Sequence, residues 1–375
     1  MKRAVIVTGD LVRTGGMDMA NLALAEHLAN RGVSVHVVAH RVDPKLATLS
    51  DIKWHKVPKP LNSYMLGAPL LDRMGRRVAR DGSAPDSRVV VNGGNCEIGD
   101  VNWVHYVHAA YSPQQVGSLS ARLRGRVARQ LHLRHERAVL QMSRLVIANS
   151  ERTRRDLRNL LDIDDARIRT VYYGIEPERF SPPGEGQSER LRASFGWPNR
   201  PQVAFVGALG DRRKGFDTLY AAWSTLCSTS SWDADLVVVG HGAELDTWKE
   251  RAAKDGLGER IRFLGFRTDV PDVLAACDAL VAPTRYEAYG LGVQEALCMG
   301  LPALVSADAG VAERYPEQLQ GLLLQDPNSV SELGARLKNW REHAGDLRAM
   351  TLELSVSLRE RTWETMAGEI GALLQ

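Results

Sequence analysis

Two glutamates near the end of the chain, Glu287 and Glu295, flank the stretch AYGLGVQ. Eight positions make about two turns of helix, so one continuous helix would put both acids on one face. Gly290 and Gly292 lie between them and resist that helix. The other possibility is a loop bearing Glu287, a turn at the glycines, and a helix bearing Glu295. The amides of Gly290, Leu291 and Gly292 would then sit at a helix start, where free N–H groups and the dipole favour an anion. Glu295, one turn in, could accept paired hydroxyls such as those of a ribose. The plainer reading is two acids near a helix start that only complement its dipole.

Three further groups carry chemistry. Arg212, Arg213 and Lys214 gather between the run QVAFVG and the helical pattern GFDTLYAAWSTL. Such a cluster suits a diphosphate through charge-assisted bonds, or it is a solvated basic turn. His105 and His108 stand three apart at the end of the run WVHYV. Strand alternation would send them to opposite faces. His108, nearer the carboxyl end, is expected to face a ligand, and His105 to be packed or exposed. Gly15 and Gly16 precede a helical pattern and would let an anion approach closely, or they form a tight turn.

The elements that must hold these groups read as alternating strands and helices. In the first half, AVIVTG (4–9) is a buried parallel strand, followed by a glycine turn, a helix through MDMANLALAEHLANRG, and the strand VSVHVVAH. Further strands read at 88–92, 103–107 and 145–150, and the second half repeats the scheme from QVAFVG (202–207) and DLVVVG (235–240) onward. The stretch 174–201 is rich in Pro, Gly and charge and reads as a linker. The boundaries expected are a first domain over 1–180, a second over 181–357, and a final amphipathic helix over 358–375 that crosses back onto the first domain near Trp363. Ligands of doubly wound sheets bind at the carboxyl ends of the strands.

Composition narrows the class. At 375 residues, 44% hydrophobic and 25% charged, the chain suits two globular domains. Cys96, Cys227, Cys277 and Cys298 lack CxxC spacing, which speaks for a reducing compartment and against a zinc site. No signal peptide is visible, and no apolar run reaches the ~18 residues of a spanning helix; a cytoplasmic location is expected. The loop after the first strand is not GxGxxG, and GxxxxGK[ST] is absent, so dinucleotide and P-loop sites are disfavoured. The stretch DADL (233–236), which contains a DxD triplet, reads as the start of a buried strand rather than a metal site.

The net charge of +3 is uneven: residues 1–180 hold 28 basic and 18 acidic residues. Arg122, Arg124, Arg126, Arg129, Arg134, Arg137 and Arg144 supply much of the excess. They read either as a solvated helix face or as a surface for anionic lipid or an anionic acceptor. Few aromatics interleave, so nucleic acid is disfavoured.

Together these stretches resemble the retaining glycosyltransferases of the group 1 family, numbered family 4. The resemblance covers nearly the whole chain and is strongest over 203–306, where Glu287 and Glu295 fit the family's paired-glutamate motif and CMGLP follows. YYGIEPERFSP, TGGMDMANLALAEHLANRGVSVHVV and YVHAAYSP match as well. The resemblance implies an α/β GT-B fold, two Rossmann-like doubly wound domains facing across a cleft, the first binding acceptor and the second a nucleotide-diphosphate sugar. It implies transfer to a hydroxyl acceptor with no cofactor and no metal; the arginines of 122–144 favour a lipid-linked or otherwise membrane-proximal acceptor. Glu295 would hold the donor ribose, and Glu287 would contact the transferred sugar. The amides of Gly290, Leu291 and Gly292 would meet sugar hydroxyls and phosphate. Lys214 would pair with the leaving diphosphate. The backbone at Phe266 and Arg267 would meet the base. His108 would lie near acceptor and sugar, and Gly15 and Gly16 near phosphate or acceptor. Ala208 departs from the pattern, standing where many members carry arginine; Arg212 or Arg213 would take that contact. Rival readings are an epimerase or phosphorylase of the same fold, or a non-catalytic sugar-nucleotide-binding subunit. Cell-surface polysaccharide or glycolipid assembly, at the inner face of a membrane, is the setting the resemblance suggests.

Overall fold

The computed structural model describes residues 1–13, 15–81, 86–112, 119–229 and 231–375, with the side chains of 119–125 and 128 excepted. Arg122 and Arg124 thus lie outside the described side chains. The chain forms two compact units, one of residues 1–174 with 361–375, the other of residues 175–360.

The first unit is built on β1 (Arg3–Val7), β2 (Ser34–Ala39), β3 (Ile52–Lys56), β4 (Ser87–Val91), β5 (Val101–Val104), β6 (Leu145–Ala148) and β7 (Ile168–Thr170). They form one parallel sheet in the order β3-β2-β1-β4-β5-β6-β7. Runs such as Ala4 to Val7 are wholly buried, because helices cover both faces of a parallel sheet. The helices are α1 (Gly16–Asn30), α2 (Tyr64–Arg80), α3 (Leu119–Met142) and α4 (Glu151–Leu161). Ser150 caps α4 by accepting from Thr153 N. The order of strands reverses between β1 and β4, and ligands of such sheets bind where that reversal opens a crevice at the carboxyl ends.

The second unit repeats the plan with α5 (Gln187–Ser194), β8 (Gln202–Val206), α6 (Phe216–Cys227), β9 (Asp235–Val239), α7 (Leu245–Lys254), β10 (Ile261–Gly265), α8 (Val270–Ala275), β11 (Ala279–Ala282), α9 (Leu291–Cys298), β12 (Ala303–Ser306), β13 (Leu323–Leu324), α10 (Val330–Glu342) and α11 (Ala344–Glu360). Its parallel sheet runs β10-β9-β8-β11-β12-β13, again reversing beside the first strand. Trp223, Trp340, Phe205 and Tyr220 anchor its core.

The structure differs from the sequence reading in three places. The stretch 174–201 is not a free linker: Ile175, Phe180 and Trp197 are buried in the second unit's core, and α5 lies within it. Its prolines are half-buried, and its few apolar side chains anchor it. The run 103–107 is not a strand throughout. β5 ends at Val104, and His108–Ala110 form a 3-10 turn, so alternation does not govern the two histidines. The final segment is not one helix. α11 ends at Glu360, and α12 (Trp363–Leu373) starts anew, with Thr362 accepting from Thr365 N. At that break Arg361 donates to Tyr172 O at 2.9 and 3.1 Å and pairs with Glu369 at 2.7 Å. α12 packs against α1, where His27 meets Glu364 at 2.7 Å.

Candidate active site

In the second unit two loops meet at the carboxyl ends of β8 and β11, the strands beside the reversal. The β8 loop ends in a 3-10 turn, Arg212–Lys214, whose start is capped by Asp211 accepting from Arg213 N. Gly215 then takes φ +71, and a Cβ there would stand 1.9 Å from Pro283 O. Only glycine lets the β8 loop press against the backbone leaving β11. Arg285 N donates to Arg213 O at 2.8 Å and ties the two loops together.

This junction brings Lys214 and Glu287 together, Nζ to Oε2, at 2.6 Å. Arg213 lies 3.7 Å from the other carboxylate oxygen and donates to Tyr286 O at 3.4 Å. Both partners of the Lys214–Glu287 pair are mostly shielded, so the bond is screened less than a surface pair. Arg212 turns the other way, to Asp217 at 3.0 Å, where Arg285 also pairs at 2.8 Å. That double pairing holds the Asp217 carboxyl below its usual range despite its burial. The sequence reading did not single out Asp217 or Arg285; nothing in their spacing separates them from ordinary surface charge.

The glycines after Glu287 form a turn. Gly290 has φ +108 and is the N-cap of α9, so Glu287 stays on the loop while Glu295 sits within the helix. The loop is pinned by Gly310 N to Glu287 O at 3.1 Å and Val311 N to Tyr289 O at 2.7 Å. A Cβ on Gly290 would come within 2.9 Å of Val311 and 3.3 Å of Glu287 Cγ, whereas the space beside Gly292 is open. Val293 N donates back to Gly290 O at 3.0 Å, and the amides of Leu291 and Gly292 stand ahead of it at the opening of α9. Burial pushes the Glu295 carboxyl up to about 7, with Arg179 opposing. Arg179 comes from the stretch before α5 and was not picked out as a site residue.

Phe266 and Arg267 follow β10. Phe266 is 71% exposed. Arg267 pairs with Asp269 at 2.7 Å and lies over the Phe195 ring. No described bond links either to the Lys214 group. Asp235 of the DADL stretch is buried between Arg260 and Arg262, each at 2.9 Å, and Asp233 pairs with Arg341 at 2.6 Å. Among the described residues no three His, Cys, Asp or Glu side chains group as a metal site requires.

In the first unit the two histidines have opposite settings. His105 Nε2 receives the side-chain amides of Asn92 at 3.1 Å and Asn21 at 3.3 Å. Its Nδ1 proton therefore points to the Tyr173 hydroxyl, which also receives Asn149 Nδ2 at 3.2 Å. Burial pushes the His105 imidazole down to about 3, so it is neutral and fixed. His108 keeps a 47% exposed side chain while its Nδ1 meets Glu136 Oε1 at 2.7 Å; Glu136 is fully buried. Arg129 holds the same turn by donating to His108 O at 3.2 Å and Tyr111 O at 3.1 Å. With Nδ1 committed to the carboxylate, Nε2 is the nitrogen left for chemistry. Glu136 was missed because a lone acid in an arginine-rich helix reads as surface charge.

Gly15 is the N-cap of α1, and Gly16 its first residue. Asp18 shares that first turn, and burial with the nearby Asp10 charge pushes its carboxyl up to about 6. An acid at this helix start suits hydroxyl groups better than a second phosphate.

Comparison with known proteins matches residues 187–352 to the family Glycosyl transferases group 1 and residues 14–179 to Glycosyltransferase Family 4. Among curated relatives, the lipopolysaccharide core biosynthesis mannosyltransferase LpsB of Rhizobium meliloti (strain 1021) is 35% identical over 173 residues. That match covers 44% of this chain and 45% of LpsB, so it spans less than half the relative's length. Among solved structures, WaaG, a glycosyltransferase involved in lipopolysaccharide biosynthesis, superposes with a TM-score of 0.78 at 20% identity, covering 100% of this chain and 99% of that one. Anabaena Alr3699/HepE in complex with UDP and glucose gives a TM-score of 0.72 at 19% identity, with 100% and 99% coverage. These two likenesses show the shared fold, the two-domain GT-B architecture.

Proposed function

The chain belongs to the group 1, family 4 glycosyltransferases, and from that premise we propose that it moves a sugar from a nucleotide-diphosphate donor to a hydroxyl acceptor with retention of configuration. The observation that carries this is the Lys214–Glu287 pair at 2.6 Å beside the start of α9. Cleavage at the anomeric carbon leaves positive charge on the sugar and negative charge on the departing diphosphate. Lys214 and the α9 amides supply fixed positive charge to the leaving group, and that interaction strengthens as the bond breaks. Glu287 meets the sugar hydroxyls and the developing cation. The 2.6 Å bond between them holds both side chains at the mouth of the same loop junction, positioned for the two ends of the breaking bond.

The second unit takes the donor, with Glu295 on the ribose and the backbone at Phe266 and Arg267 on the base. UDP in the Anabaena protein of the same fold supports a nucleoside diphosphate. The first unit takes the acceptor, with His108 and the α1 start nearest it. Arg212 is engaged with Asp217, so Arg213 is the better candidate for the second diphosphate contact. No metal takes part in this scheme. The names of LpsB and WaaG support a place in cell-surface polysaccharide or glycolipid assembly. Among the described residues no helix is long and apolar enough to cross a membrane.

The test is a thermal-shift screen of nucleotide sugars, followed by NMR of the product anomer. A ligand at 100 times its dissociation constant stabilises by ~2.7 kcal/mol, enough to see. Transfer with the donor's anomeric configuration kept is expected. An inverted product would overturn the retaining mechanism, and donor binding with neither transfer nor hydrolysis would favour a non-catalytic binding subunit.

A further inference from the structure

α2 carries an apolar surface that the first unit does not use. It buries Gly67, Leu71, Gly75 and Val78, the stripe that fastens a surface helix. The remaining side ought to be polar. Over the first two turns it is not: Met65 is 77% exposed, and Tyr64, Leu66 and Leu70 are exposed too. Just ahead, Leu61 is 92% exposed. Leu61 and Asn62 take φ of 49 and 53, a left-handed conformation that costs free energy away from glycine. The backbone accepts that cost while presenting a leucine to solvent.

The helix behind this tip and the neighbouring edge strand are basic. The exposed stripe of α2 continues through Arg73, Arg77 and Arg80, and Lys53 and Lys56 are exposed on the sheet-edge strand β3. Residues 53–80 hold seven Lys and Arg and a single acid, Asp72, which Arg76 pairs at 2.5 Å. On α3, several arginines hold other parts of the first unit. Arg129 holds the His108 turn, Arg137 pairs with Asp162, and Arg144 pairs with Asp100 at 3.2 Å.

We propose that the segment 61–80 is a docking surface for an anionic lipid bilayer, with Leu61, Met65, Leu66 and Leu70 entering the headgroup–acyl boundary and the flanking cations meeting lipid phosphates. The combination selects this occupant. Apolar side chains gain by leaving water at the interface, and each cation gains from a negative leaflet. A second copy of the same face would set cation against cation. The tip also adjoins the carboxyl end of β1: the Tyr64 hydroxyl donates to Asp10 at 2.5 Å, and Lys59 lies 3.6 Å over the Tyr64 ring. A lipid-linked acceptor in the same leaflet therefore reaches the first unit without leaving the membrane; this last step rests on the proposed transfer reaction, the docking does not.

The experiment is vesicle co-sedimentation of the full chain with phosphatidylcholine alone and with phosphatidylglycerol added, at low and high salt. Binding to the anionic vesicles only, weakened by salt, is expected. Leu61→Ser/Met65→Ser/Leu66→Ser should weaken it about tenfold or more, and Arg73→Ala and Arg77→Ala about fivefold each. Arg126→Ala/Arg134→Ala on α3 should leave it within about twofold, less than one α2 arginine costs. All these side chains are exposed, and melting curves check folding. Absence of vesicle binding, equal binding to both vesicles, or undiminished binding by all three variants of the segment 61–80 would overturn the proposal. So would a wild-type dimer, seen by light scattering, that the apolar variant dissolves without any vesicle binding. Donor hydrolysis in the absence of vesicles should be equal in wild type and α2 variants; its loss in all of them would count against the transfer reading and leave the docking result intact.

Discussion

His108 Nδ1 lies 2.7 Å from Oε1 of Glu136, an acid that is fully buried while the imidazole is half-exposed. A buried carboxylate that accepts from Nδ1 fixes the ring's tautomer and orientation. Glu136 is thus a positioning residue, and its loss should resemble a weaker loss of His108. His108→Ala is expected to lower kcat by about a hundredfold, and Glu136→Gln by on the order of tenfold with KM little changed. Glu136 Oε2 is buried without a hydrogen-bond partner, so Glu136→Gln keeps an acceptor for His108 Nδ1 but places amide donors where nothing accepts them, and a modest Tm loss is expected. A Tm loss with unchanged kcat would make Glu136 merely structural.

Lys214 and Glu287 should behave as one unit. Lys214→Ala removes fixed charge from the leaving group and should cost about 10²–10³ in kcat. Glu287→Ala should cost a similar amount. Because each single change breaks the same 2.6 Å bond, the double variant should lose much less than the product of the two. Steady-state kinetics with circular dichroism as the folding control decides this. Near wild-type transfer in both single variants would sink the assignment.

Much of this was legible in the chain itself. Short apolar runs bounded by glycines marked the buried parallel strands, because such strands must be apolar on both faces. Gly290 and Gly292 marked the break between the two acids, since the turn there needs φ +108. What escaped depends on tertiary contact. Ile175, Phe180 and Trp197 are too few and too irregularly spaced to announce that the 174–201 stretch is anchored. The histidines were assigned by strand alternation, but β5 ends before either of them. Side-chain networks decided their settings instead, through Asn21, Asn92 and Tyr173 on one ring and Glu136 on the other. None of those partners is near in sequence except Asn92.

Glu295 gives a pH dependence of known sign. Burial raises its carboxyl from 4.5 to about 7, so the folded protein holds this proton more tightly than the unfolded chain. The group's contribution to stability is most favourable below about 4.5 and declines as pH rises toward 7. Glu295→Gln should therefore raise Tm more at pH 8 than at pH 5. A ribose diol donates to the ionised carboxylate, so nucleoside diphosphate should bind more tightly at pH 8 than at pH 6, and Glu295→Gln should flatten that difference. Calorimetric titration at the two pH values measures it; an equal slope in both proteins would detach Glu295 from the ribose.

The last helix should hold up the first unit. Met366 and Ile370 on α12 and Leu374 just beyond it are fully buried, and His27 of α1 is closed under Glu364 at 2.7 Å. Burying side chains of this size contributes roughly 1.5–3 kcal/mol each. Gly174 also packs against the Thr362 backbone, where a Cβ would stand only 2.3 Å from Thr362 O. Ending the chain at Glu360 should then expose the α1 face and destabilise residues 1–174 while leaving the core around Trp223 and Trp340 folded. Met366→Ala is the milder form, with an expected cost of about 2–5 kcal/mol. Hydrogen exchange resolved by segment reads both: α1 and β1 should lose protection while β8 and β9 keep theirs. Uniform loss, or none, would mean that α12 does not support the first unit in particular.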